Sequence, residues 1–351
     1  MKFSKAIFSV IIGLAVFFPV LKAHALPIGN IEVNVVSSGD GLYADETEAG
    51  RYVYKGADPD NYIKLGGEMW RIVAVESNGD IKLVKDTFAA NKQFDATEAR
   101  TSGYCSFGDA STKGCNAWNQ NNNFVNGSYH GEVSGNSQLN TYLNGEYYDS
   151  LNSTIKKYIV AYNWGVGPVT VNNTDLAGEV AGENAVTWNG NVALISHSDY
   201  MRANSNVSSC GNDKDTATNS AVCRTTNWLY VSGSFYWTLS PVGDSTNYVW
   251  VICGAGTIST YEAGSSYDVR PSIHITPDID LNGSGTKDDP YTVDTPENEE
   301  TVEPTPAQVV NVPSTFKSGP YIILLTGFAL IIIAIIVILA VTKVKKAKKI
   351  K

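Results

Sequence analysis

Asn61-Tyr62-Ile63-Lys64-Leu65-Gly66-Gly67-Glu68-Met69-Trp70-Arg71-Ile72-Val73-Ala74-Val75 carries the clearest local signal in the chain. Branched and aromatic residues flank a Gly-Gly pair, and glycine supplies the positive φ that a two-residue hairpin turn needs. Ser77-Asn78-Gly79-Asp80 offers a second turn, after which Ile81-Lys82-Leu83-Val84-Lys85 resumes the alternation. The spacing predicts a three-stranded antiparallel meander.

Working outward, Leu26 to about Glu48 is polar and reads as an extended lead-in. Downstream, the Asn/Gly/Ser-rich stretch from Asn91 to about His130 gives way to Leu139, Tyr142, Leu143 and Tyr147 at helical spacing, with Ser137 available as N-cap. Val192-Ala193-Leu194-Ile195 reads as a buried strand. In the next turn, Ser196 and Asp199 have the spacing of an N-cap and its N3 carboxylate. The last third holds Trp237-Thr238-Leu239-Ser240-Pro241, Tyr248 to Ile252 and Asp268-Val269-Arg270-Pro271-Ser272-Ile273, and closes on Gly283 to Tyr291. With 31 Gly, 19 Tyr and 7 Trp, the composition suits a loop-rich, β-containing domain.

The two ends read as targeting segments. Residues 1–25 combine a basic start (Lys2, Lys5), an apolar run and Ala23-His24-Ala25, the small-residue pattern that signal peptidase accepts. Residues 319–342 include the uncharged run Tyr321 to Val341, about 31 Å long as a helix, and residues 343–351 form a polylysine tail. The lysines place the tail on the cytoplasmic side, so the expectation is a single-pass membrane protein at the cell surface with its bulk outside. Residues 294–318, rich in Pro, Glu and Thr, read as a disordered acidic stalk. Within it, Val312-Pro313-Ser314-Thr315-Phe316 is similar to the L-P-x-T-G sorting signal of sortase substrates. Phe316 stands where that signal has Gly, so the expectation is a retained helix, with cell-wall linkage as the alternative.

Charge narrows the partners. Of 26 Lys and Arg, three lie in the leader and six in the tail, leaving 17 against 35 Asp and Glu, a net of −18 outside. Such a surface repels nucleic acid and anionic lipid. Membrane contact is expected through the C-terminal helix alone. All five cysteines lie in the external part: Cys105 and Cys115 in one polar loop, Cys210 and Cys223 in another, and Cys253 apart. Two local disulfides, 105–115 and 210–223, are the expected pairing of three that four cysteines allow, with Cys253 a small buried residue.

The meander Asn61–Val75, the Trp237-Thr238-Leu239-Ser240-Pro241 run and Asp268-Val269-Arg270-Pro271-Ser272-Ile273 together resemble uncharacterised surface proteins of Gram-positive bacteria. The resemblance covers roughly Tyr52 to Val293. It implies an α+β class: a C-type-lectin-like ectodomain over 51–293, with antiparallel sheet and short helices, followed by a single C-terminal transmembrane helix. That fold is shared with formylglycine-generating enzymes, whose paired-cysteine motif has no match here. The resemblance implies a ligand-binding face in the final strands and loops.

The candidate residues follow. Ser245 to Tyr267 has the composition of an adaptable recognition surface, and Tyr248, Trp250, Tyr261 and Tyr267 are its ligand-binding candidates, with strand packing as the alternative for each. Asp278, Asp280, Asn282 and Asp289 approach a calcium-loop pattern, but the last position lacks the bidentate Glu and a domain-closing turn explains the stretch more simply. His197-Ser198-Asp199 cannot form a triad among adjacent residues, so no catalytic residue and no cofactor is expected. The expected function is recognition or adhesion toward a glycan or protein ligand. An extracellular carboxylate-dependent enzyme and a passive structural surface protein are the alternatives.

Overall fold

A computed structural model describes residues 25–96, 114–119, 124–125, 128–129, 135–171, 175–206 and 221–293. The meander forms as its sequence predicts. Tyr62–Leu65, Glu68–Val75 and Ile81–Lys85 pair antiparallel, with Leu65 opposite Glu68 across the Gly66-Gly67 turn. Gly66 and Gly67 have φ of 59° and 86°, the two consecutive left-handed positions that match the twist of a hairpin. A bulge falls between Ile72 and Ala74, and every residue from Trp70 to Val84 within these strands is buried. Strands buried on both faces belong in the middle of a sheet, not at its surface.

The rest of the fold completes that sheet. Pro271–Ile275 pairs with Ile81–Lys85 on one side, and Ile159–Val160 and Val192–Leu194 pair with Pro271–Ile275 in turn. On the other side Tyr291–Val293 runs parallel to Tyr62–Leu65, and Leu281–Asn282 pairs with Tyr291–Val293. Gly41–Ala44 and Tyr52–Lys55 extend from the meander, so the expected lead-in of residues 26–50 contributes its own strands. A second sheet orders Ile258–Glu262, Tyr248–Ile252, Tyr236–Pro241, Ser266–Val269 and Ala90–Gln93. One hydrophobic cluster runs from Trp70 and Leu83 in the first sheet to Trp237 and Val251 in the second.

The expected α+β, C-type-lectin-like class is corrected by this architecture. The described chain is mostly β, in mixed sheets with two parallel pairings, and its helices are short. The longest, Leu176–Asn184, has nine residues and spans about 14 Å, half the thickness of a bilayer core. The physical cause is the frequency of Gly, Asn and Ser, which ends each helical period after one or two turns. Among the described residues no helix is long and apolar enough to cross a membrane. The single-pass, transmembrane and surface-localised expectations therefore have no described helix to rest on. Residues 1–24, the stalk from 294, the expected span 319–342 and the lysine tail lie outside the described residues.

The two expected disulfides each have one cysteine among the described residues. Cys115 and Cys223 are disulfide-bonded, whereas Cys105 and Cys210 lie outside the described residues, so neither 105–115 nor 210–223 is placed. Cys253 is free and buried.

Two polar devices hold the short helices. Ser137 caps Gln138–Tyr142 by accepting from the Asn140 amide, and Ser196 with Asp199 makes both bonds of a capping box on His197–Arg202. The first helix widens into a π turn at Leu143–Tyr147, which brings Asn144 beside Val192. The Asn144 side chain donates to Val192 O at 2.9 Å and accepts from Val192 N at 3.1 Å, taking the place of a neighbouring strand. Four indole N–H groups likewise donate to backbone carbonyls of other segments: Trp164 to Gly190 O, Trp228 to Tyr54 O, Trp237 to Lys92 O and Trp250 to Val169 O, all at 2.8–2.9 Å.

Asn144→Leu removes both bonds to Val192, and those to Asn140, while keeping the branched shape of the side chain. Leaving a part-buried donor and acceptor unpaired costs about 2 kcal/mol, so urea unfolding should show a lower midpoint with an unchanged slope. An unaltered midpoint would show that water replaces the amide without loss.

Candidate functional site

The most strongly charged place in the described chain lies where the meander meets the His197–Arg202 helix. Asp45 and Glu48 come from the loop after Gly41–Ala44, Arg51 precedes Tyr52–Lys55, and Glu76 follows Glu68–Val75. Lys82 enters from Ile81–Lys85, and Asp199 and Arg202 from the helix. Arg51 uses all three nitrogens: Nε to Glu76 at 2.9 Å, Nη1 to Asp45 at 2.7 Å and Nη2 to Asp199 at 3.2 Å. Lys82 Nζ meets the second Asp199 oxygen at 2.6 Å, and Arg202 reaches Glu48 at 2.7 Å and Asp45 at 3.1 Å. A cavity of about 70 Å³ opens among them, lined also by Tyr162, Trp164, Glu183 and Ser198. That is room for a few water molecules.

Electrostatics decides what this cluster can do. Burial alone would raise the Asp199 carboxyl, but Lys82, Arg51 and Arg202 outweigh it and hold the group well below the carboxylate range. Burial is likewise overcome at Glu76 by Arg51 and His274, and at Asp45 by Arg202 and Arg51. Burial opposes the Arg51 charge too, yet Glu76, Asp199, Asp45 and Glu48 raise it well above its usual value. Carboxylates locked in the ionised form only accept, so Glu76 and Asp199 are unsuited to donating a proton at neutral pH. His274, stacked on Tyr162 at 3.6 Å, has its pKa lowered by burial despite the nearby Glu76.

Beside the cluster, the His197-Ser198 pair diverges. His197 Nδ1 lies 3.0 Å from Glu179 Oε2 with its ring against Trp250, while the Ser198 hydroxyl donates to Glu183, which also accepts from Ser240 at 2.6 Å. Imidazole and hydroxyl have different partners and no shared bond. Asp199 serves the capping box and the ion cluster, in agreement with the capping reading of its sequence.

The ligand-binding candidates separate into two groups. Trp250 is buried, its N–H held by Val169 O, and it belongs to the core. Tyr248 is half-buried and sits opposite Glu262 in the strand pairing. Tyr261 and Tyr267 come together at 5.0 Å, joined by Phe235 at 6.0 and 5.9 Å and backed by Trp237 at 5.0 Å from Tyr267. Phe235 is 37% exposed, one of two exposed large hydrophobic residues among those described. Burial raises both tyrosine hydroxyls, with Cys253 adding to the effect, and burial also pushes the Cys253 thiol up, which keeps it protonated and unreactive.

Next to this aromatic face lies a groove that the sequence did not reveal. Tyr267 is opposite Lys92 in the strand register, and Lys92 Nζ lies 4.1 Å from the centre of the Tyr142 ring. Asn91, Lys92, Gln93, Gln138, Tyr142 and Ser266 line a space of about 370 Å³, within the size range of small-molecule sites. Phe235 could have been found from its spacing: it precedes Trp237 by two and so faces the same way in an extended chain. Lys92 and Gln138 carried no such signal.

The calcium-like stretch is a closing turn. Leu281–Asn282 pairs with Tyr291–Val293, and Thr286 Oγ1 accepts from the Asp289 amide. Among the described residues no group of three or more His, Cys, Asp or Glu is placed to hold a metal ion.

The pH dependence of stability follows from the cluster. Glu76, Asp199 and Asp45 have folded pKa values below their unfolded ones, so their contribution is present above about pH 4 and is lost as pH falls below it. Lowered His274 adds a loss beginning below about pH 6.5, since the unfolded chain binds that proton first. Unfolding midpoints measured from pH 8 to 3 should fall gently below 6.5 and steeply below 4. Arg51→Met, which leaves three carboxylates without their shared cation, should cost about 3–5 kcal/mol at pH 7 and blunt the steep acid limb. A wild-type steep limb retained in that variant would place the acid sensitivity elsewhere.

Comparison with known proteins adds one assignment. No curated protein and no solved structure matches the chain. A family model described as a domain of unknown function, DUF6273, matches residues 78–277, more than half of the chain and inclusive of Lys82, Lys92, Tyr142, Asp199 and Tyr267. The chain therefore belongs to the DUF6273 family.

Proposed function

We propose that this protein is a recognition domain for glycans, binding a sugar at the face formed by Phe235, Tyr261 and Tyr267 and the adjoining groove. The supporting observation is the juxtaposition of half-exposed aromatic rings with a groove lined by three side-chain amides, a hydroxyl and one cation. A sugar ring offers apolar C–H faces edged by hydroxyls. Aromatic rings receive the faces, and amides that both donate and accept suit the hydroxyls. The tyrosines lose little conformational freedom on binding, having few rotatable bonds and neighbouring rings that hold them in place.

A carboxylate-dependent enzyme is the weaker reading. The best-placed buried carboxylates, Glu76 and Asp199, are each engaged by cations at 2.6–3.2 Å, and an acid–base pair needs one partner free to carry a proton.

The full chain should retain specific members of a glycan array, and Tyr267→Ala and Tyr142→Ala should each weaken that binding about tenfold, equivalent to ~1.4 kcal/mol. Unfolding midpoints close to wild type would establish that both variants are folded. Binding unchanged in both, or no glycan retained, would refute the proposed site.

A further inference from the structure

We infer that the groove selects an anionic sugar, such as a uronic acid, with Lys92 as the residue that reads the charge. The inference rests on the recognition reading above and concerns the same site. Among the described residues Lys64, Lys92, Lys156, Lys157, Arg224 and Lys287 meet no carboxylate, and of these Lys92 is the one that lines the groove. Arg51, Lys55, Lys82, Lys85, Arg202 and Arg270 each meet a carboxylate within 4 Å. Lys92 meets none among the described residues, although the protein carries 35 Asp and Glu against 26 Lys and Arg.

The geometry accounts for this. Asp268, one step along the facing strand, is held by the Asn91 side chain at 2.9 Å. Side chains of directly paired residues share a face and successive residues alternate, so Asn91 and Asp268 lie on the opposite face from Lys92 and Tyr267. Glu146 is near enough to raise the Tyr142 hydroxyl, after burial, yet forms no ion pair with Lys92. The ammonium is instead seated over the Tyr142 ring, whose face attracts cations weakly. An ammonium half-withdrawn from water with only a ring as partner gains more from a carboxylate than one already paired does. Asn91 and Gln93 border the groove from the other face of the strand, donating to Asp268 and to Gly264 O, and Gln138 accepts from the Ala96 amide; none carries a net charge, so the single positive charge of Lys92 sets the preference.

The test compares β-linked tetrasaccharides of glucuronic acid and of glucose by titration calorimetry with the full chain at low salt. The acidic sugar should bind about tenfold tighter, and raising the salt should erode that margin. Lys92→Met keeps the aliphatic stem on Tyr142 and should abolish the preference while leaving glucose binding within twofold. Equal binding of the two sugars by wild type would overturn this inference alone, as would a loss of both in Lys92→Met with an unchanged unfolding midpoint. Absence of binding to either would overturn the recognition reading together with it.

Discussion

The guanidinium of Arg51 is the constraint around which the first half of the structure is arranged. It ties together the loop before it, the end of the central strand and the His197–Arg202 helix, through Asp45, Glu76 and Asp199. Removing four carboxylates and three cations from water is costly, and the cost is offset only when every charge finds an oppositely charged partner at hydrogen-bonding distance. Arginine suits this role because its planar fork can serve three acceptors at once. The same requirement explains the capping box. Asp199 accepts from the Ser196 amide with the oxygen that also meets Lys82, so helix start and ion cluster share one atom.

A different balance governs the aromatic face. In the ion cluster nearly every polar group is satisfied internally, and the small cavity that remains is bordered by side chains already engaged. Around Phe235, Tyr267 and Lys92 the rings are half-exposed and the cation lacks a carboxylate among the described residues. A surface that leaves apolar area and charge incompletely satisfied has binding capacity to spare, whereas a self-neutralised interior mainly has stability. That contrast is the physical basis for seeking recognition on the aromatic face and cohesion in the charged centre.

How much of this was legible in the sequence depends on the range of the interaction concerned. The meander, the Ser137 cap and the Ser196–Asp199 box are written within windows of a few residues, and each forms. Tyr261 and Tyr267 were visible as part of a Tyr-rich stretch, but Trp250 of the same stretch turns inward because Val169 O offers its indole a partner, and nothing local to Trp250 announces that. Lys82 between Ile81 and Leu83 looked like the solvent side of an alternating strand. It is buried because Asp199, 117 residues later, meets it. The overall class was misread for a related reason. The local motifs resemble those of a known α+β fold, but strand order is a non-local property, and parallel pairings such as Tyr291–Val293 with Tyr62–Leu65 have no short-range signature.

Those same distances bear on how the chain reaches its native state. The central sheet is not complete until Pro271–Ile275 arrives beside Ile81–Lys85, with Ser272 bonding Leu83 at a separation of 189 residues, and Arg51 waits across 148 residues for Asp199. Topologies dominated by such remote pairings fold slowly, because the entropy of closing large loops must be met before the contacts can compensate. Until then the edge of Ile81–Lys85 is open, and four acidic and three basic side chains destined for one small volume remain in water. Sheet and cluster therefore close together, late, and as a single cooperative event.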